Sequence, residues 1–478
     1  MGAQPDPVDR PFEPNYSADA FVGTAAYYVR TDIASSGGDT MLPHIHRSRF
    51  LALFFLSAFF LSAGLVAAAD LPPKSWIDPD TGHRVIRLTD EPGSASLYFN
   101  DNGFTPDGKK MVYLLPKGLG VVDLTTMATR HLVEGSVQSI VAGRKNPTFY
   151  YTKSSGRPYY SELWCVNVDT GESRKVVDLP RRGSIFSINA DETLAAGVYV
   201  EGDAGLSPAP AKAAAPTKAA GPATSQGGLY QAVSKEQMMA DRLAARYPEV
   251  LFTIDLRDGT TKSLLRTTDW IDHIQFSPAD PALFIYAHEG AWQKVDRLWS
   301  IRTDGTGNQL IHRRILENET AGHEWWGADG QTVYYQLHYP PGMESSFVAS
   351  YNVVTGERIW YHYTPDQISI HHASSPDGKL FCGDGGDPKV HLANGSPWIF
   401  LYHPVLNRSN GTVGTNLIKG GYLKPEKLVN MAKTAIHGEH NYLLEPNAFF
   451  TPDQKYIVFR SDMFGPSYAF AVEVAKAD

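Results

Sequence analysis

The chain has 478 residues, 42% hydrophobic, 20% charged and 12% aromatic, a composition that excludes a disordered chain, a collagen-like repeat and a polytopic membrane protein. Lysine and arginine total 43 against 51 acidic residues, a net charge of −8, which argues against a nucleic-acid binder, whose footprint is basic. The 42 glycines, 32 prolines and abundant aromatics favour many short strands and turns over long helices.

From the N-terminus, the strongly apolar stretch is residues 50–66, preceded by Arg47 and Arg49 and followed by Ala67, Ala68 and Ala69. A basic flank, an apolar run and small residues at a cleavage point read as a secretory signal. Met41 is therefore taken as the initiator, residues 1–40 as an upstream mis-start, and residues 41–69 as a signal peptide cleaved after Ala69. The alternative, a membrane anchor, is disfavoured because the run is short for a span of about 20 residues. The body, residues 70–478, is expected to be exported, periplasmic or secreted, with no stable membrane insertion after cleavage. Cys165 and Cys382 sit in separate strand-like segments without a CxxC partner and are read as buried thiols rather than a disulfide.

A unit then recurs: a turn of the S/T-P-D-G type, an alternating strand, and a second strand with a D-x-x-T-G turn. It begins at Thr105, Ala142, Asn189, Ser277, Gly327, Ser375 and Thr451. Such turns between alternating strands are hairpin signals, and units of about 40–50 residues built from them are the signature of β-propeller blades. The expected fold is all-β, a seven-bladed β-propeller, with the strand around His83 to Thr89 completing the last blade beside Tyr468 to Val474. Residues 206–226, an Ala/Pro/Lys/Thr tract, are read as a disordered insertion, and the segment KEQMMADRLAARYPE after it as a short helix.

Histidines gather in local strings at the expected blade edges: Asp272-His273, His288-Glu289, His323-Glu324, His371-His372, and His437 with His440. A lone strand-end histidine is usually a hydrogen-bonded core or surface residue, but a propeller brings strand ends from distant positions to one axial funnel. HExxH zinc chemistry is absent, as is the GxSxG of serine hydrolases.

The segments TGHRVIRLT, YFNDNGFTPDGK, HIQFSPADPALFIYAHEGAWQKVDRLWSI, HEWWGADG and LEPNAFFTPDQKYIVFRSD resemble the oligogalacturonate lyase family from about Asp78 to the C-terminus. The resemblance implies a seven-bladed propeller that cleaves short pectic oligouronides by β-elimination with a histidine base, an arginine and a divalent metal, usually manganese. His273 resembles the family's general base, Arg246 its substrate-facing arginine, and His323 its first metal ligand. Where the family carries Gln-x-x-His-Pro-His, this chain reads Tyr442, Glu445 and Asn447 at the ligand positions. Glu445 and Asn447 are therefore expected beside His323, in a set that favours Ca²⁺ or Mg²⁺, with His437 or His440 as substitutes.

β-Elimination removes the weakly acidic proton beside a uronate carboxylate, so charge at that carboxylate must be neutralised. Arginine matches a carboxylate in bidentate fashion, and a neutral imidazole suffices as base. Tyr98 and Asn102 are expected to hydrogen-bond the sugar, Trp292 to stack on it, and His288 to line the site, while Arg297 is expected to pair with Asp296 or with another blade's carboxylate. The competing expectation is a non-catalytic, TolB-like propeller that binds a protein or glycan partner, favoured by the altered ligand string.

Overall fold

The computed structural model describes residues 71–203, 235–339, 345–385, 398–407, 418–431 and 445–477. The signal segment, the Ala/Pro-rich tract and His437, His440 and Tyr442 lie outside the described residues. The body is all-β, and Lys235–Ala244 forms the α-helix expected after the Ala/Pro-rich tract. No helix among the described residues is long and apolar enough to cross a membrane.

Among the described residues the strands form six sheets, one of five strands, one of three, three of four and one of eight. The eight-stranded sheet consists of two antiparallel four-stranded runs, joined where Arg358–Tyr363 pairs in parallel with Lys419–Asn430. The five-stranded sheet is closed from both chain ends, because His83–Arg87 pairs antiparallel with Tyr468–Lys476, as the sequence led us to expect. First strands of consecutive sheets lie against one another: Gln138–Ala142 against Gly183–Ile188, the latter against Trp270–Phe276, and Ser369–Ser374 against both Thr320–Trp326 and Phe449–Phe450.

The repeated turn explains itself in hydrogen bonds. Thr105 Oγ1 donates to Asp107 (2.7 Å) and accepts from Lys110 N (3.1 Å), while Asp107 accepts from Lys109 N (3.1 Å). Ser375 with Asp377, and Thr451 with Asp453, repeat this network. Short polar side chains that bond neighbouring backbone groups offer an alternative to extending the strand, so the chain reverses there. In the second turn type, Gly171, Gly259 and Gly356 have φ of +77°, +77° and +75°, a conformation that glycine adopts without steric cost.

Apolar side chains pack between sheets. Phe149, Tyr151 and Val166 of one sheet meet Val112, Leu119 and Val121 of the preceding one, and Phe276, Phe284 and Tyr286 meet Ala196, Val198 and Leu251 in the same way. Both cysteines are free and buried.

Candidate active site

The chemistry-bearing residues sit where first strands break their pairing. The register slips between Asp272 and Gln275, between Gly322 and Trp325, and between Ser369 and His372, leaving His273, His323 and His371 inside the three irregular stretches. His273 and His323 have φ of 49° and 47°, and Asn447, just ahead of the last inner strand, has φ of 52°. A bulge bends the strand and re-aims a side chain. At these positions it turns imidazoles that are tens of residues apart in sequence toward one cluster.

One half of the cluster centres on Arg297, which is 1% exposed. Its Nη1 lies 2.6 Å from Glu289 Oε2 and its Nε 3.3 Å from Glu324 Oε2, so its partners are carboxylates of its own sheet and of the next, not Asp296. Glu289 also accepts from Trp292 Nε1 (3.1 Å) and lies 3.4 Å from His273 Nε2. The His273 backbone N–H donates to Asp272 (2.8 Å). Arg297 holds the Glu289 carboxyl well below the usual range against the opposing effect of burial. Burial alone would depress the His273 imidazole, but Glu289 and Asp272 outweigh it and the pKa is raised. Asp101, in the YFNDN loop, is pushed up to about 7 by burial, with His273 and Arg460 acting in the opposite direction.

The other half joins His323 to His371, ring centroids 4.7 Å apart. Gln336 Nε2 donates to Ser369 O and faces His372 Nδ1, both at 2.8 Å, so its Oε1 accepts from His323 Nδ1–H at 2.6 Å. This network sets the His323 tautomer. His371 Nδ1 lies 2.7 Å from Asp384 Oδ2, and its Nε2 lies 3.5 Å from Glu445 Oε2. Burial, with His371 beside it, drives the His323 pKa well below the usual imidazole value. The two halves share one electrostatic environment, since Arg297 and His273 both act on His323.

His273, His323 and Glu445, scattered in sequence, are thus brought into one neighbourhood, and the expectation for Asn447 is corrected. Its Oδ1 accepts from Phe99 N (3.1 Å) and its Nδ2 donates to Glu445 O (2.9 Å), so both ends of the amide are occupied by backbone and do not fit metal ligation. Trp292 is corrected likewise. It is 6% exposed, with His323 against its edge (4.9 Å) and Arg297 over its face (4.5 Å), which leaves no open face for a sugar ring. Asn102 Oδ1 accepts from Phe104 N (3.1 Å), a turn contact. Tyr98 is buried against Phe99 and His371, with ring centroids 4.8 and 5.1 Å away.

Arg246 stands apart. It is half-exposed, 2.6 Å from Asp269, and it adds to the burial that depresses His288, which packs on Trp299. Among the described residues no hydrogen bond or ion pair joins it to His273. At about 3.3 Å per residue, the four positions from Asp269 to His273 put its partner roughly 13 Å along the strand from the base. Sequence reasoning missed Asp101, His371 as a partner of His323, and Asp384. The doubled histidine was visible, but nothing local tied it to an aspartate one strand away.

As for a metal, Asp272, His273 and Glu289 bring ligand-type atoms within 4.8 Å of one another. The guanidinium of Arg297 already supplies positive charge at that spot, however. The other half, His323, His371 and Glu445, carries imidazole and carboxylate ligand types that suit a divalent cation, with His371 Nε2 3.5 Å from Glu445 Oε2.

A family model described as oligogalacturonate lyase matches residues 242–477. Over that stretch the chain is similar to the oligogalacturonate lyase family. It is 24% identical to the oligogalacturonate lyase of Dickeya dadantii and to the oligogalacturonide lyase of Pectobacterium atrosepticum, in each case over 83% of this chain and 95% of the relative. Its fold is shared with an oligogalacturonate lyase solved in complex with manganese (TM-score 0.66, 22% identity) and with the Vibrio parahaemolyticus oligogalacturonate lyase (TM-score 0.67, 21% identity). Each alignment covers 85% of this chain and 97% of the solved one.

Proposed function

We propose that this chain is a lyase that cleaves short uronate-containing, oligogalacturonate-like oligosaccharides by β-elimination, on a seven-bladed β-propeller in which the eight-stranded sheet counts as two blades. The observation that carries the reading is the buried Arg297–Glu289–His273 chain beside the His323–His371 pair, in a chain similar to a family of lyases. A non-catalytic binder has no need of an imidazole backed by two carboxylates in a buried charge network.

In this reading His273 is the base. Glu289 faces Nε2, which leaves Nδ1 to take the proton beside the uronate carboxylate. The C–H bond breaks, its electron pair forms the carbon–carbon double bond, and the bond to the 4-linked oxygen breaks. The imidazolium that forms is stabilised by Glu289 and Asp272, the same groups that raise its pKa. Asp101, with a pKa near 7 and within the field of His273, carries the proton for the departing oxygen. Arg246 exchanges Asp269 for a substrate carboxylate at the mouth of the site. His323 and Glu445 would hold a divalent cation, manganese by family, which supplies neutralisation of the uronate carboxylate.

The test mixes purified protein with oligogalacturonates and follows the ultraviolet absorbance of the conjugated unsaturated uronate. Turnover is expected in the wild type, with a loss of 10²–10⁴-fold in His273→Ala, the range for removal of a general base. No absorbance with any pectic, alginate-like or ulvan-like uronide would reject the lyase, and undiminished turnover in the variant would reject the assignment of His273.

A further inference from the structure

We propose that His371, oriented by Asp384, is a ligand of the cation site in this chain and takes over the place expected for Asn447. The proposal deepens the lyase reading, resting on it for the role of the site, but it concerns binding and is tested without turnover.

His371 and Asp384 are both fully buried. Asp384 is immobilised from three sides: Oδ1 accepts from His371 N (2.6 Å), and Oδ2 faces His371 Nδ1 (2.7 Å) and accepts from Asn447 N (2.8 Å). An ionised carboxylate only accepts, so Nδ1 carries a hydrogen, and in the neutral ring the lone pair is then left on Nε2. That Nε2 is buried without a hydrogen-bond partner. It lies 3.5 Å from Glu445 Oε2, beyond the 2.7–3.2 Å of an N–H···O bond, and in the neutral ring this sets one acceptor against another. The Tyr98 hydroxyl, on a ring packed against His371, is a second buried polar atom without a partner. Buried polar atoms in folded proteins nearly always have partners, and exceptions call for a bound ion or water.

A cation between His371 Nε2 and Glu445 resolves the opposition of two acceptors, with His323 on its other side. An aspartate behind an imidazole is also the usual support of a metal-bound histidine, because it fixes the ring and raises its basicity. Asn447 then has a different part: its backbone N–H holds Asp384, and its side chain ties the Phe99 backbone to that of Glu445. Two imidazoles with one carboxylate select a first-row transition ion over Ca²⁺ or Mg²⁺.

The experiment titrates metal-stripped full-length protein with MnCl₂ and counts bound Mn²⁺ by calorimetry and by the electron paramagnetic resonance signal of the free ion. One equivalent is expected in the wild type, and excess Mg²⁺ or Ca²⁺ should displace little of it. His371→Ala should weaken binding at least tenfold, and Asp384→Asn by about 10–100-fold, the usual effect of losing such a support. Because both side chains are buried, the wild type is also examined by pulsed resonance, which should resolve two coordinated imidazole nitrogens whether or not a variant folds. No Mn²⁺ binding by the wild type, undiminished binding by a folded His371→Ala, or fewer than two coordinated imidazoles would overturn the proposal. A chain that binds Mn²⁺ in this way but leaves oligogalacturonates intact keeps the site and loses the activity, and an active chain without bound metal does the reverse.

Discussion

Two imidazoles in irregular stretches of different first strands are each backed by a carboxylate, yet what holds that carboxylate differs. Behind His273, Glu289 is locked to Arg297, and Arg297 reaches Glu324 as well, so that half carries its own cation. Behind His371, Asp384 is held by backbone N–H groups from His371 and Asn447, and the imidazole faces a further acceptor in Glu445. The same bulged position thus serves two purposes. Backed by Glu289 and Asp272, the His273 imidazole keeps a raised pKa suited to receiving a proton, whereas the His371 imidazole, set between Asp384 and Glu445, is suited to a bound cation.

The largest expected effect on the first half comes from Glu289→Gln. Removing one member of a buried ion pair leaves its partner charged and poorly compensated, which costs about 3–5 kcal/mol. The loss should appear as a clear drop in the thermal or urea midpoint at neutral pH. The sign with pH follows from the depressed Glu289 carboxyl. Its contribution is complete above the ordinary glutamate value of about 4.3 and is lost as pH falls below it. The gap between wild type and variant should therefore close in acid, and a gap that stays constant to pH 3 would show that the ion pair is not its source. The variant should also shift the acid limb of activity to lower pH, because Glu289 helps to raise the His273 pKa.

A middle-sized effect is expected at Asp101. The base must be unprotonated, so kcat/KM should rise with pH through the raised pKa of His273. The acid must be protonated, so activity should fall as Asp101 ionises, near pH 7. The product is a narrow bell close to neutrality. Asp101→Asn should abolish the alkaline fall and lower the maximum about tenfold or more. If the fall persists unchanged in the variant, Asp101 is not the acid.

Much of this architecture was legible because it is local. Turn chemistry within six residues, as in Thr105 to Lys110, is written in the sequence, and so is the pairing of His83–Arg87 with the C-terminal strand, since both segments alternate. His273 and His323 were legible by likeness of motif. Asn447 misled for a physical reason. Its neighbours in sequence suggest a ligand string, but the amide is claimed by the Phe99 backbone, 348 positions away, a contact that no local pattern encodes. Arg297 was expected to find a carboxylate, and it found two. That it stands behind His273 depends on the bulge there, and a bulge is set by pairing with the next strand rather than by composition.

The smallest effect sharpens the contrast between the inner wall and the turns. Thr451 Oγ1 donates to Asp453 Oδ1 (2.7 Å) and accepts from Tyr456 N (3.1 Å). Thr451→Val keeps the shape of the side chain and removes both bonds, so the loss should be about 1 kcal/mol of stability, the net worth of a typical hydrogen bond, and not the full cost of two isolated groups. Asp453→Ala should cost a similar amount, and the double variant less than the sum, because the hydroxyl and the carboxylate serve one turn. Four positions of extended chain, roughly 13 Å, separate Thr451 from Asn447. Neither kcat nor Mn²⁺ binding should therefore change by more than about twofold while the unfolding midpoint falls. A large change in turnover with little change in stability would mean that turn and inner wall are coupled, and that the inner strands are not the rigid platform on which the His273 and His371 assignments rely.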